Sequence, residues 1–162
     1  MTNSRRRVLG LGLGSGTIVL DQISKWWILT QVMDPPRLIP VTPFFNLVLG
    51  YNRGVSFGMF GSDSEFGRWA LSGLALAIAA ALLIWLWRAE KPMLSAALGL
   101  IVGGALGNVI DRITVGAVVD FLDFYAAGYH WPAFNIADTG ITIGAAILIF
   151  DSIFGDDPQK NG

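Results

Sequence analysis

Four short clusters of ionisable and amide side chains stand out in this 162-residue chain because the segments around them are apolar. Asp21 and Lys25 lie four residues apart, so a helix would project them from one face as an ion pair. Asn108, Asp111 and Arg112 form a second cluster, with Asn108 and Arg112 again four apart. Val118-Val119-Asp120-Phe121-Leu122-Asp123-Phe124 offers two carboxylates, and Asn135-Ile136-Ala137-Asp138 offers one more beside an amide. Two carboxylates brought within a few ångströms cannot both ionise easily, so one keeps a proton while the other acts as a base. Such a pair can hydrolyse an amide. The ionised member takes a proton from water, and the protonated member hydrogen-bonds the carbonyl and then helps the amine leave.

Other chemistries lack the parts. The chain has no cysteine, which excludes disulfides, thiolate metal sites and a cysteine nucleophile. The single histidine, His130, has no evident partner for a Ser-His-Asp constellation and cannot build a zinc site alone. Ser24 and Lys25 are adjacent and would diverge on a helix, which argues against a Ser-Lys dyad. No cofactor or metal is expected, and no basic patch suggests nucleic acid.

Each cluster also has a purely structural reading. Asp21 and Lys25 can be a pair that makes two buried charges tolerable. Asp111 and Arg112 can be a solvated helix end. Asn135 is a favoured helix cap, and Asp138 in the first turn suits the positive end of the helix dipole. The β-branched and aromatic content of residues 118–124 favours a strand, in which Asp120 and Asp123 point to opposite faces. Asp120 shares its face with Val118 and Leu122, and Asp123 shares its own with Phe121 and Tyr125, so pattern separates the two only slightly.

The elements that position these groups belong to a membrane protein. Hydrophobic residues make up 53% of the chain, charged residues 14%, and mean hydropathy is +0.56. A bilayer crossing needs about 20 apolar residues. Residues 69–87 and 93–110 carry no charge and are secure spans. A first span reaches full length only if Asp21 and Lys25 are carried inside it, and a fourth is bracketed by Asp138 and Asp151. Ionisable groups so placed usually face the bundle interior. The expectation is an all-α membrane protein, one domain over residues 1–162, with helices at about 8–30, 67–87, 93–112 and 136–154. Outer loops fall at about 31–66 and 113–135. Arg5, Arg6, Arg7, Arg88, Lys91 and Lys160 place both termini in the cytoplasm. A twin-arginine leader is the competing reading of Arg5 to Arg7.

The first outer loop mixes β-branched and aromatic residues with Gly and Pro, which predicts a small β-sheet there, lying on the membrane surface. Gly99, Gly103 and Gly107 at four-residue spacing predict close helix packing. Residues 155–162 read as a polar tail. On charge placement alone, a small transporter or proton relay competes with an enzyme. A non-catalytic membrane chaperone with a decayed site is a third class.

The chain resembles the lipoprotein signal peptidases, also called signal peptidase II. The resemblance is carried by Asp21-Gln22-Ile23-Ser24-Lys25, Asn52-Arg53-Gly54-Val55-Ser56-Phe57-Gly58, Gly103-Gly104-Ala105-Leu106-Gly107-Asn108-Val109-Ile110-Asp111-Arg112, Val118-Val119-Asp120-Phe121 and Pro132-Ala133-Phe134-Asn135-Ile136-Ala137-Asp138. It implies a catalytic pair of Asp120 and Asp138 and sets Asp123 aside. It implies site support from Asp21, Lys25, Asn52, Gly54, Asn108, Arg112 and Asn135, with Asp111 structural. Val55-Ser56 departs from the small alanines usual in the family. The implied substrate is a diacylglyceryl-modified prolipoprotein, cut before its lipidated cysteine at the outer face of the bacterial cytoplasmic membrane. Membrane lipid and cyclic depsipeptide inhibitors are the other implied partners, and the chain is expected to be a monomer.

Overall fold

The computed structural model describes residues 1–54 and 65–154. The Val55-Ser56 departure and the 155–162 tail therefore lie outside the described residues. The element order is α1 (Asn3–Trp27), a π-helical turn (Ile28–Val32), β1 (Ile39–Thr42), β2 (Phe45–Asn52), α2 (Glu65–Arg88), α3 (Pro92–Thr114), β3 (Val118–Ala126), β4 (Tyr129–His130) and α4 (Ile136–Phe154). The first helix starts five residues earlier than expected. Thr2 caps it by accepting from the Arg5 amide at 3.4 Å, and the arginines that follow are good helix formers. Pro92 opens α3, where its missing N–H costs nothing.

Among the described residues, three helices are long and apolar enough to cross a membrane: α2, α3 and α4. α1 is the longest helix at 25 residues, but Asp21, Gln22, Ser24 and Lys25 lower its apolar character. Large side chains such as Leu74, Ile78 and Ile84 on α2 and Ile149 and Ile153 on α4 face outward. An apolar surface of that extent suits lipid rather than water.

α3 is the central helix, and α1, α2 and α4 all pack on it. Glycine lets them come close. A methyl group at Gly99 or Gly103 would collide with the backbone of Gly10 or Gly14 on α1, and one at Gly104 would collide with the Ala137 carbonyl on α4. A methyl at Gly107 would lie 2.8 Å from Asp21 Oδ2. The predicted close approach is therefore made to α1, with the neighbouring Gly104 admitting α4. At the end of the bundle away from the sheet, Arg7 Nε donates to the Trp87 carbonyl at 3.0 Å and its guanidinium stacks 4.5 Å from the Trp87 ring.

The sheet corrects the expectation. It is antiparallel in the order β1-β2-β3-β4, so only two of its strands come from the first loop and the other two come from the loop after α3. Once β1 occupies one edge of β2, the other edge needs a backbone partner, and β3 supplies it with Asn46 opposite Asp123 and Gly50 opposite Asp120. The chain then doubles back: Phe134 accepts from the Phe121 and Leu122 amides and donates to the Leu122 carbonyl. Ile28, Val32, Met33 and Phe121 form a buried cluster that joins the π-helical turn to the sheet. This packing fixes the sheet over one end of the helices.

Candidate active site

The polar groups of α1 and α3 meet under the sheet. Lys25 Nζ lies 2.8 Å from Asp21 Oδ2 and 2.7 Å from Asp111 Oδ2, with all three side chains at most 4% exposed. One ammonium thus neutralises part of two buried carboxylates, which would be costly if unpaired. The Asp111 carboxylate is consequently not a solvated helix end; it also accepts from the Val119 amide at 3.0 Å, tying the start of β3 to α3. Asp21 Oδ1 accepts from the Ala137 amide at 2.9 Å, so a residue of α1 caps the first turn of α4. These contacts hold α1, α3, β3 and α4 in one register.

Asn135 stands next to this network, immediately before α4. Its Oδ1 accepts from the Asp138 amide at 2.9 Å, and Asp138 Oδ2 accepts from the Asn135 amide at 3.2 Å, a reciprocal cap. The capping reading of this pair is correct, but it is incomplete. Asn135 Nδ2 also reaches Asp120 Oδ1 at 2.8 Å, the Val119 carbonyl at 3.2 Å and Asn108 Oδ1 at 3.2 Å. Asn108 Nδ2 in turn donates to Asp138 Oδ1 at 2.7 Å. One fully buried asparagine therefore bonds both Asp120 and Asp138, and a second amide joins it to Asp138.

Burial raises Asp120 to about 6; hydrogen bonds from Asn52 and Asn135 and the charge of Lys25 oppose this rise, while the charge of Asp138 adds to it. Arg112 senses Asp138, Asp111 and Asp120, and its Nη1 donates to the Asn108 carbonyl at 3.4 Å. Gly54 lies between Leu71 and Arg112. Its φ of +82° is open to glycine, its amide donates to Asn52 Oδ1 at 2.9 Å, and a methyl there would collide with Leu71 and lie 3.9 Å from Arg112 Nη2. Asp21, Lys25, Asn52, Gly54, Asn108, Arg112, Asp120, Asn135 and Asp138 are thus brought to one place.

Asp123 is not. It lies on the opposite face of β3, where it accepts from Asn46 Nδ2 at 2.9 Å and pairs with His130 Nδ1 at 2.9 Å. Burial works against its charge, but the Asn46 and His130 hydrogen bonds and the His130 charge hold its carboxyl below the ordinary range. His130 therefore has a specific partner, contrary to the sequence expectation, because the turn between β3 and β4 sets it opposite Tyr125 and beside Asp123. Among the described residues, no three His, Asp or Glu side chains group as a metal site. Gln22 is the residue the sequence reading passed over. Its Nε2 donates to Asp21 Oδ2 at 3.1 Å, the Gly107 carbonyl at 3.3 Å and Asp111 Oδ1 at 3.0 Å. Its amide beside a buried aspartate was the available signal.

The arrangement is a pair of carboxylates in a mostly buried setting, one sensing the charge of the other, held by amide donors and with Arg112 beside them. A family model described as signal peptidase (SPase) II matches residues 15–154. A lipoprotein signal peptidase of Ralstonia nicotianae is 51% identical over 146 residues, covering 88% of this chain and 83% of that protein. One from a Methylobacterium species is 46% identical over 153 residues, covering 94% and 93%. A solved bacterial membrane enzyme structure superposes with a TM-score of 0.77 at 30% identity, covering 94% of this chain and 91% of its own. A match of this extent, with relatives of this identity, places the chain in the signal peptidase II family.

Proposed function

We propose that this chain is an aspartic endopeptidase that removes the signal peptide from diacylglyceryl-modified prolipoproteins, cutting before the lipidated cysteine, with Asp120 and Asp138 as its catalytic pair. The observation that carries the reading is the Asn135 bridge, in which one buried side chain and its own backbone amide bond both carboxylates. Two acids held this way divide the work: one draws the proton from water while the other hydrogen-bonds the carbonyl and protonates the leaving amine. Asn108 and Asn135 orient the pair, and the Asp21-Lys25-Asp111 network fixes the helices that carry it. Arg112, which senses both acids, and the neighbouring Gly54 would meet the peptide.

The same reading makes α1 a fourth membrane span, since Asp21 and Lys25 face the bundle interior rather than lipid. The pair then lies at the outer level of a bacterial cytoplasmic membrane, with both termini on the cytoplasmic side, the whole chain one domain and a monomer. A substrate whose acyl chains stay in the bilayer can present its peptide bond at that level. Cyclic depsipeptides that mimic the peptide would compete for the site.

Cleavage of a lipidated prolipoprotein peptide by detergent-purified protein tests this. Asp120→Asn and Asp138→Asn should each be inactive while remaining folded; cleavage at the parent rate by either would dismiss the pair. A transporter or relay would show no cleavage in the parent chain at all.

A further inference from the structure

The geometry points to a fixed division of labour in the pair, in which Lys25, acting through the Asn108 amide, holds Asp138 as the ionised base and leaves the shared proton on Asp120. This rests on the dyad reading above and goes beyond it by assigning the roles. Two side-chain amides can each face only one way. Asn108 Oδ1 is approached by Lys25 Nζ at 3.3 Å and Asn135 Nδ2 at 3.2 Å. An ammonium has only hydrogens to give, so the Asn108 atom that faces it must be the oxygen. The other end of that amide, its NH₂ group, is then forced toward Asp138 Oδ1. Asn135 is fixed in the same manner, because its Oδ1 accepts the Asp138 backbone N–H, which can only donate.

The consequences for the two carboxylates differ. Asp138 has a donor on each oxygen: the Asn108 amide at 2.7 Å and the Asn135 backbone amide at 3.2 Å. It also sits in the first turn of α4, where the helix dipole favours negative charge. Asp120 has no helix end behind it. It is 3% exposed on a strand, and the neutral amides of Asn135 and Asn52 and the charge of Lys25 offset its burial only in part. When the two share one proton, the proton therefore resides on Asp120, whose raised affinity for it has burial as its main cause. Lys25 from α1, with its partners Asp21 and Asp111, stands behind the two amides, and Arg112 from α3 senses both carboxylates. β2 contributes the neutral Asn52.

Lys25 is thus a positioning residue, with its ammonium shared between two carboxylates and the Asn108 oxygen. The test is the pH profile of kcat/KM for the full chain in detergent with a lipidated prolipoprotein peptide. Asn108→Ala severs the link while leaving Lys25 its two carboxylates. It should move the acid limb to higher pH by about one unit, the worth of one charge-assisted hydrogen bond, and so lower the rate about tenfold on the acid side. Lys25→Met should move the same limb in the same direction and, because its charge also favours ionised Asp120, carry the alkaline limb upward as well; the double variant should move the acid limb no further than the larger single effect. Asn52→Ala removes a bond to ionised Asp120 and should move the alkaline limb upward instead.

Should Lys25→Met not fold, Asn108→Ala and Asn52→Ala decide the matter alone. Exchange of the two limbs between these variants would reverse the roles and overturn the assignment. So would a loss of rate in Asn108→Ala with both limbs in place. If Asp120→Asn and Asp138→Asn are inactive while Asn108→Ala leaves the acid limb unmoved, only this inference falls. If either aspartate variant cleaves at the parent rate, the dyad itself falls.

Discussion

Replacing Asp120 with asparagine should remove activity and, above about pH 6, make the protein more stable. Asp120 is 3% exposed, and burial raises its carboxyl from 3.8 to about 6. A group whose proton affinity rises on folding stabilises the fold fully below its unfolded pKa. That contribution is lost as pH rises through the folded value. For Asp120 the loss occurs between about pH 4 and pH 6, and above it the fold carries a charge it would rather not hold. At about 1.4 kcal/mol for each tenfold change in proton affinity, the rise from 3.8 to about 6 corresponds to about 3 kcal/mol. Asparagine has nearly the same shape, keeps an oxygen to accept the Asn135 amide, and cannot ionise. Thermal unfolding in detergent should therefore show a gain in Tm at pH 8 of roughly 5–10 °C, shrinking to nothing near pH 4. Cleavage should fall by about 10²–10⁴-fold or more. A lower Tm at pH 8, or a gain that is the same at pH 4.5 and pH 8, would refute the argument that the site stores an unfavourable charge for its chemistry.

Three other outcomes follow from the packing and the ion pairs. Gly104→Ala places a methyl 2.7 Å from Ile141 Cγ1 and inside the Ala137 carbonyl, so α4 must move by about 1 Å; we expect a loss of about 1–3 kcal/mol and about 100-fold in kcat/KM, whereas Gly12→Ala, with nothing within 4 Å, should keep both. Unfolding curves and single-substrate kinetics on the two variants check this. Asp123→Asn should retain most activity, since Asp123 lies on the far face of β3; its depressed carboxyl contributes stability above about pH 4 that is lost as pH falls below it, so the variant and parent should converge in Tm in acid. Lys91→Ala breaks a 3.3 Å pair with Asp151 in which the lysine is 49% exposed, and should change stability by less than about 1 kcal/mol in a urea or thermal series.

The membrane class, the helix-forming segments and the small number of residues able to do acid-base chemistry were all legible in the amino-acid order, because hydropathy and residue type are local properties. The strand character of residues 118–124 was legible too, and with it the separation of Asp120 from Asp123, since alternation follows from backbone geometry. Pairing was not. Whether β3 would join β2, whether His130 would find Asp123, and whether Asp111 would sit in water or against Lys25 depend on which segments meet. Local sequence carries little record of that. The glycine spacing on α3 announced close approach, yet only the packed helices decide that Gly103 meets α1 and Gly104 meets α4. The aspartate, lysine and asparagine types at positions 21, 25, 108, 120, 135 and 138 were fixed from the start. Their joining through Asn135 and Asn108 is a tertiary fact, because hydrogen bonds a few ångströms long must be closed between residues as far as 83 positions apart.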